Sequence, residues 1–168
     1  ELLRSTEFAV HGQTMATNAL IQRNGPVVGL LCTQGFRDII YLGRGGKPER
    51  FNIHLQKPED FVPRYLRLGI PERIGADGSE VMPLDEDAVR AAADLFGRHG
   101  VQAVAIAYLW SIVDPRHEKR TAEIVREVLP GVDVLCSSDV LPEIREWERT
   151  SATILSAYIA PIIGDYLR

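Results

Sequence analysis

Cysteine is scarce in this chain, with two, Cys32 and Cys136, among 168 residues. Both sit in apolar, strand-like runs, so a disulfide-stapled secreted scaffold is excluded and buried thiols of a reducing, cytoplasmic setting are expected. Basic runs are absent, and the net charge is -4. That balance argues against nucleic acid or an anionic membrane surface as a partner. No apolar run has the length of a membrane span; the longest, Val101 to Trp110, has strand length and is interrupted by Gln102. No N-terminal charge-then-apolar pattern reads as a secretory signal. Several motifs that carry chemistry are missing as well. No phosphate-cradling loop ends in Gly-Lys-Ser/Thr, and Gly43-Arg44-Gly45-Gly46 lacks dinucleotide-binding spacing. His11, His54, His99 and His117 are scattered without zinc-ligand spacing, so no metal site is expected. There is no Gly-x-Ser-x-Gly elbow, no internal repeat and no low-complexity tract.

What remains is ordinary globular composition, 45% apolar and 25% charged, enough for one domain with a real core. A helix is predicted from about Thr14 to Arg23, stopped by Asn24-Gly25-Pro26. Val27 to Cys32 is a continuous apolar run suited to a strand covered on both faces. Residues 43–63, with Gly45-Gly46 and three prolines, read as a long loop or lid. Asp77-Gly78 predicts a β-hairpin over 66–82. Asp85 is the expected N-cap of a helix whose Val89, Ala92, Ala93 and Phe96 share one face. Val101–Leu109, a helix opened by Asp114-Pro115, and Val132–Cys136 form a strand–helix–strand unit that predicts parallel strands in a right-handed crossover. A long helix from about Pro142 closes the chain. The fold class is α/β: a mixed, largely parallel sheet with flanking helices and a hairpin, in a single domain over 1–168. The abrupt opening on Glu1-Leu2-Leu3 and the closing helix, apolar on more than one face, read as a segment excised from a larger chain.

Three polar constellations stand out, each with two readings. His11, Gly12, Thr14, Thr17 and Asn18 lie at a strand-to-helix junction, where free N–H groups favour an anion. Plain helix capping by Thr14 explains them equally. Arg37, beside Asp38, and Arg44 supply guanidiniums that grip carboxylate or phosphate; a surface turn closed by Arg37 and Asp38 is the alternative. Glu143 to Ser151 opens the last helix. Its Glu148 and Arg149 are either positioning groups aimed into a cleft or a solvated ion-pair face.

The three blocks together resemble the hydantoinase A/5-oxoprolinase family. The resemblance rests on His11-Gly12-Gln13-Thr14-Met15-Ala16-Thr17-Asn18-Ala19-Leu20, Thr33-Gln34-Gly35-Phe36-Arg37-Asp38 and Gly43-Arg44. Val62-Pro63-Arg64-Tyr65-Leu66-Arg67, Pro71-Glu72-Arg73, Ser137 to Glu146 and Glu148-Arg149-Thr150-Ser151 continue it in register over nearly the whole chain. Gln13 stands where that family most often has Thr, and Trp147 where it usually has Tyr.

The resemblance implies a lobe of the actin/sugar-kinase/Hsp70 type of ATPase. It implies an ATP- and Mg²⁺-dependent parent that opens cyclic amides, of the hydantoin or 5-oxoproline type, by phosphorylating a carbonyl oxygen. A subunit of an ATP-dependent ketone carboxylase, acetone or acetophenone in type, is the alternative, and a non-catalytic assembly scaffold a third. It implies as partners the rest of the parent chain, a small-molecule substrate and a B-type hydantoinase or carboxylase subunit. The family's Asp-x-Gly-Gly-Thr phosphate loop is absent from the sequence, so the chain alone is expected to fold but to be inactive. On this footing His11, Thr14 and Asn18 are expected on the substrate side of an interlobe cleft. Glu148 and Arg149 are expected beside it, with Arg149→Ala lowering turnover and leaving the melting temperature little changed.

Overall fold

Six-residue strand β1 (Val28–Thr33) is buried at every position, and it sits inside a four-stranded parallel sheet of order β2-β1-β5-β6. The computed structural model describes residues 14–46, 51, 52, 54 and 59–166. The other strands of this sheet are β2 (Arg67–Ile70), β5 (Ala103–Ala107) and β6 (Asp133–Cys136). Between them run α1 (Met15–Gln22), α2 (Ile39–Leu42), α3 (Glu86–Arg98), α4 (Arg116–Val128), α5 (Ser137–Val140) and α6 (Glu146–Tyr166). A two-stranded antiparallel hairpin, β3 (Arg73–Ile74) with β4 (Glu80–Met82), is the mixed element.

The register explains how the layers differ. Gly29 pairs with Val104, and Leu31 with Ile106, so these four residues face the same side. That side belongs to α3 and α4: a methyl group added at Gly29 would lie 2.7 Å from the Phe96 ring of α3. Gly29 is therefore the hole into which Phe96 inserts. Ala103, Ala105 and Ala107 project to the opposite side, where small side chains let α6 lie close against β5. Helix α6 also packs on α1, α2 and α5. Burial of an extended apolar surface on both faces of β1 and β5 is the main favourable term for the domain.

The hairpin is narrower than the 66–82 span expected from sequence. Its turn is at Asp77-Gly78, as Gly78 at φ 82 and the Gly75–Ser79 pairing show. Arg67–Ile70 instead pair in parallel with Leu30–Thr33 of β1. The reason is burial: Leu66 and Ile70 fall in the core, which a two-stranded ribbon cannot supply.

Helix α3 is capped as its sequence predicts, with Asp85 Oδ1 accepting from the Ala88 N–H at 2.9 Å. In its first turn, Glu86 accepts from Arg120 of α4 at 2.7 and 3.0 Å and from Arg90 at 3.1 Å. The Arg120 hydrogen bonds, then Arg90, overcome partial desolvation and hold the Glu86 carboxyl down at about 2 against an ordinary 4.5. A depressed carboxyl stabilises the fold fully above the unfolded value and loses that contribution as pH falls through the folded one. The Glu86 share of stability is thus present above pH 4.5 and lost between 4.5 and about 2. Glu86→Gln is expected to flatten the acid limb of urea-unfolding midpoints in that window; an unchanged limb would show that the pair is unlinked to folding.

Candidate functional site

A cleft of about 590 Å³ opens between the loop after β1 and the first turns of α6. Its apolar walls include Ile40, Leu42, Phe61, Trp147, Ile154 and Leu155. Helix α6 contributes three of these because Trp147, Ile154 and Leu155 fall about two turns apart along one side. Gly43 lets the opposite wall close. Its φ of 60 and ψ of -148 lie in a region that side-chain-bearing residues avoid.

Charged groups sit around the rim, and Arg44, Arg23 and Asp60 each have a partner. Arg44 donates from Nε to Glu148 Oε1 at 2.6 Å, and its guanidinium lies 5.7 Å from the Trp147 ring centre. Desolvation opposes ionisation of Glu148, yet its own backbone N–H and Arg44 outweigh that and lower the carboxyl below its usual range. Arg23 donates to the Glu59 carbonyl at 2.5 Å and lies 4.6 Å over the Phe61 ring. Asp60 is bound by the buried Arg67.

The structure brings together some of the residues expected to act and separates others. Arg44 and Glu148, 104 positions apart, are joined at the cleft. Arg37 and Asp38 approach only to 4.0 Å, and Asp38 is gripped by Arg64 through two hydrogen bonds of 2.9 Å. Those hydrogen bonds lower the Asp38 carboxyl. Thr14 precedes α1, where its carbonyl accepts the Asn18 N–H at 2.9 Å but its side chain caps nothing. Thr14, Thr17 and Asn18 are exposed, and none lines the cleft. His11 and Gly12 lie outside the described residues, as does most of the 43–63 loop that was expected to act as a lid. Arg149 turns away from the cleft and is 2% exposed. It donates from Nη2 to the Tyr108 carbonyl at 2.6 Å and from Nη1 to the Glu143 carbonyl at 3.4 Å.

Two buried polar groups lie beneath the C-terminal ends of the strands, and sequence reasoning assigned them nothing. Thr33, at the end of β1, accepts from the Leu109 N–H at 2.9 Å and donates to Glu72. The other Glu72 oxygen lies 2.9 Å from His117 Nδ1 on α4. Glu118, fully buried beside it, accepts from the Tyr108 N–H at 2.9 Å, the Ser137 hydroxyl at 2.6 Å and the Ser138 N–H at 2.9 Å. The only sequence signal for Glu118 is its place in an acidic first helical turn, which solvated glutamates share. Burial raises the Cys32 and Cys136 thiols to about 12, so both are inert packing groups. Among the described residues no set of three or more His, Cys, Asp or Glu is placed to hold a metal ion. Among them, too, no helix is long and apolar enough to cross a membrane.

Comparison with known proteins places this architecture. The chain is 43% identical to caprolactamase subunit alpha of Pseudomonas jessenii over 99% of its own length and 24% of that protein's. It is 41% identical to the acetophenone carboxylase gamma subunit of Aromatoleum aromaticum, covering 95% of this chain and 24% of that one. The crystal structure of the ATP-dependent caprolactamase from Pseudomonas jessenii superposes with a TM-score of 0.89 over 99% of this chain. Nucleotide-free acetone carboxylase superposes with a TM-score of 0.77 at 32% identity, over 87% of this chain and 22% of that one. The chain thus spans about a quarter of the length of these relatives. The hydantoinase/oxoprolinase N-terminal region matches residues 4–129, and the chain belongs to that family.

Proposed function

We propose that the chain is a segment of an ATP-dependent hydrolase that opens cyclic amides, of the hydantoin or 5-oxoproline type, by phosphorylating a carbonyl oxygen. The observation that carries this reading is the likeness, in sequence and in backbone, to a caprolactamase, whose name makes a cyclic amide its substrate. In this reading the chain contributes the apolar cleft, while Arg44 and Glu148 brace its rim. ATP and Mg²⁺ are the cofactors of the proposed enzyme. The described residues offer no cluster of three or more His, Cys, Asp or Glu for the metal, so they do not fit a metal-nucleotide site by themselves. Phosphate and metal would be held by groups outside them. The partner in this reading is a B-type hydantoinase subunit; the caprolactamase and acetophenone carboxylase relatives are themselves named as subunits.

The second reading, a segment of an ATP-dependent ketone carboxylase subunit, is favoured by the nearly equal identity to the acetophenone carboxylase gamma subunit. The full-length parent, assayed with its partner subunit for ADP release, separates the two. A lactam, hydantoin or 5-oxoproline is expected to stimulate ADP release with ring opening. Stimulation by ketone plus bicarbonate alone would sink the hydrolase reading. The isolated chain is expected to hydrolyse no ATP.

A further inference from the structure

The β3–β4 hairpin is held to the domain mainly by polar groups. All three residues of β4 are exposed, and its Val81 and Met82 stand open to water at 66% and 46%. A two-stranded ribbon is marginal by itself, so what fastens this one decides where it sits. Ile74 is its buried apolar anchor. At its root, Glu72 lies between β2 and β3 and is 2% exposed. We propose that His117 clasps this hairpin to α4 through Glu72 and Glu80, and that loss of the His117 proton releases it. This clasp is independent of the function proposed above.

Charge decides how the clasp works. Thr33 Oγ accepts the Leu109 N–H at 2.9 Å and gives its own proton to one Glu72 oxygen. The other Glu72 oxygen lies 2.9 Å from His117 Nδ1. Among the described residues no lysine or arginine pairs with Glu72, so among them His117 is the group that neutralises it. A buried carboxylate stripped of its partner is strongly unfavourable. The second ring nitrogen, Nε2, lies 3.7 Å from Glu80 Oε1 on β4. Only the protonated ring presents a donor at both nitrogens. The other charges beside it are Asp114 and Arg116, which bond each other at 2.7 Å, while Arg116 also reaches Glu80 at 3.4 Å. Glu118, next in the chain, is turned to Tyr108, Ser137 and Ser138. From the sheet, the titratable neighbours of Glu72 are Tyr108 and Cys32, both held neutral by burial. The electropositive first turn of α4 opposes a cation at His117, and the surplus of carboxylates over Arg116 offsets it. The clasped hairpin thus holds one proton more than the released one. It is favoured at low pH, and the clasp is lost as pH rises through the range in which histidine gives up its proton.

Amide hydrogen exchange read by NMR tests this on the chain itself. The Asp85 N–H donates to the Pro71 carbonyl at 3.0 Å, next to Glu72, and so reports on the root of the hairpin. Its protection, corrected for intrinsic exchange, is expected to fall at least about tenfold between about pH 6 and about pH 8.5. The Ala105 amide, in the middle of β5, is expected to keep its protection, which separates release of the hairpin from loss of the whole fold. His117→Gln is expected to abolish the fall at Asp85. Should that variant not fold, Glu80→Gln, at an exposed side chain, decides. With one carboxylate fewer beside the ring, the fall is expected to move to lower pH. Equal Asp85 protection at the two pH values overturns the proposal. So does an equal fall at Ala105, a fall that persists in His117→Gln, or one that stays in place in Glu80→Gln.

Discussion

Glu118→Ala is expected to destabilise the chain by about 4 kcal/mol, which is the penalty typical of breaking a buried charged network. Glu118 is on the first turn of α4 and is fully buried. It collects the Tyr108 N–H from the end of β5, and the Ser137 hydroxyl and Ser138 N–H from the end of β6. One carboxylate thus ties two parallel strand ends to the helix that connects them. Alanine would leave the Tyr108 and Ser138 N–H groups without this acceptor, at roughly 1–3 kcal/mol each before relaxation, while the Ser137 hydroxyl keeps Ser111 Oγ at 3.3 Å. Partial collapse or entry of a water lowers the upper end of that sum to about 4 kcal/mol. For a domain of this size that corresponds to a melting temperature lower by roughly 8–16 °C. Glu118→Gln keeps the shape and one acceptor but turns an NH₂ towards a donor, so an intermediate loss is expected. Urea unfolding of both variants checks the order. An Ala variant as stable as the parent would mean that the two N–H groups find other partners.

The contrast between Glu118 and Asp85 shows which parts of this fold are legible in the sequence. Asp85 bonds an N–H three residues on, so its role can be read from a local pattern. The partners of Glu118 lie 10 to 20 residues away and become neighbours only when β5 and β6 pair. Helices α3 and α4 and the buried strands were readable because periodicity and burial are local signals. β2 was not, since its partner β1 is reached through a parallel crossover, while the nearby Asp77-Gly78 turn drew the same residues into a hairpin. The site behaves alike. Adjacency suggested a pair of Arg37 with Asp38, whereas Asp38 bonds Arg64, 26 positions away. Arg44 and Glu148 each stand out in the sequence, but nothing in it states that they meet. In sequence Trp147 is only a departure from the family pattern, and the fold turns it into a wall of the cleft.

Arg149→Ala is expected to cost stability first, about 3 kcal/mol, and any loss of turnover in the full-length enzyme is expected to follow from that. A sequence reading places Arg149 either in a cleft or on a solvated helix face, and both leave the melting temperature nearly unchanged. Burial to 2% exposure removes that expectation. Nη2 holds the Tyr108 carbonyl at 2.6 Å and Nη1 the Glu143 carbonyl, so the side chain fastens the first turn of α6 to the end of β5. Its Nε has no hydrogen-bond partner. Desolvation accordingly lowers the guanidinium below its usual range, against the opposing pull of Glu118 and Glu146. The losses on truncation are of two kinds: a cavity where the stem packed, and the Tyr108 and Glu143 carbonyls each losing a donor. Arg149→Met separates them, because it keeps the stem and removes the charge. Replacing a buried, imperfectly paired charge by an apolar side chain of similar length is often nearly neutral. Met is therefore expected to recover at least half of the loss seen with Ala, and Lys, with one compact donor group in place of the fork, to fall between. Thermal unfolding of the three variants reads this order directly. A melting temperature unchanged in Arg149→Ala would place the side chain outside the core and return it to the cleft.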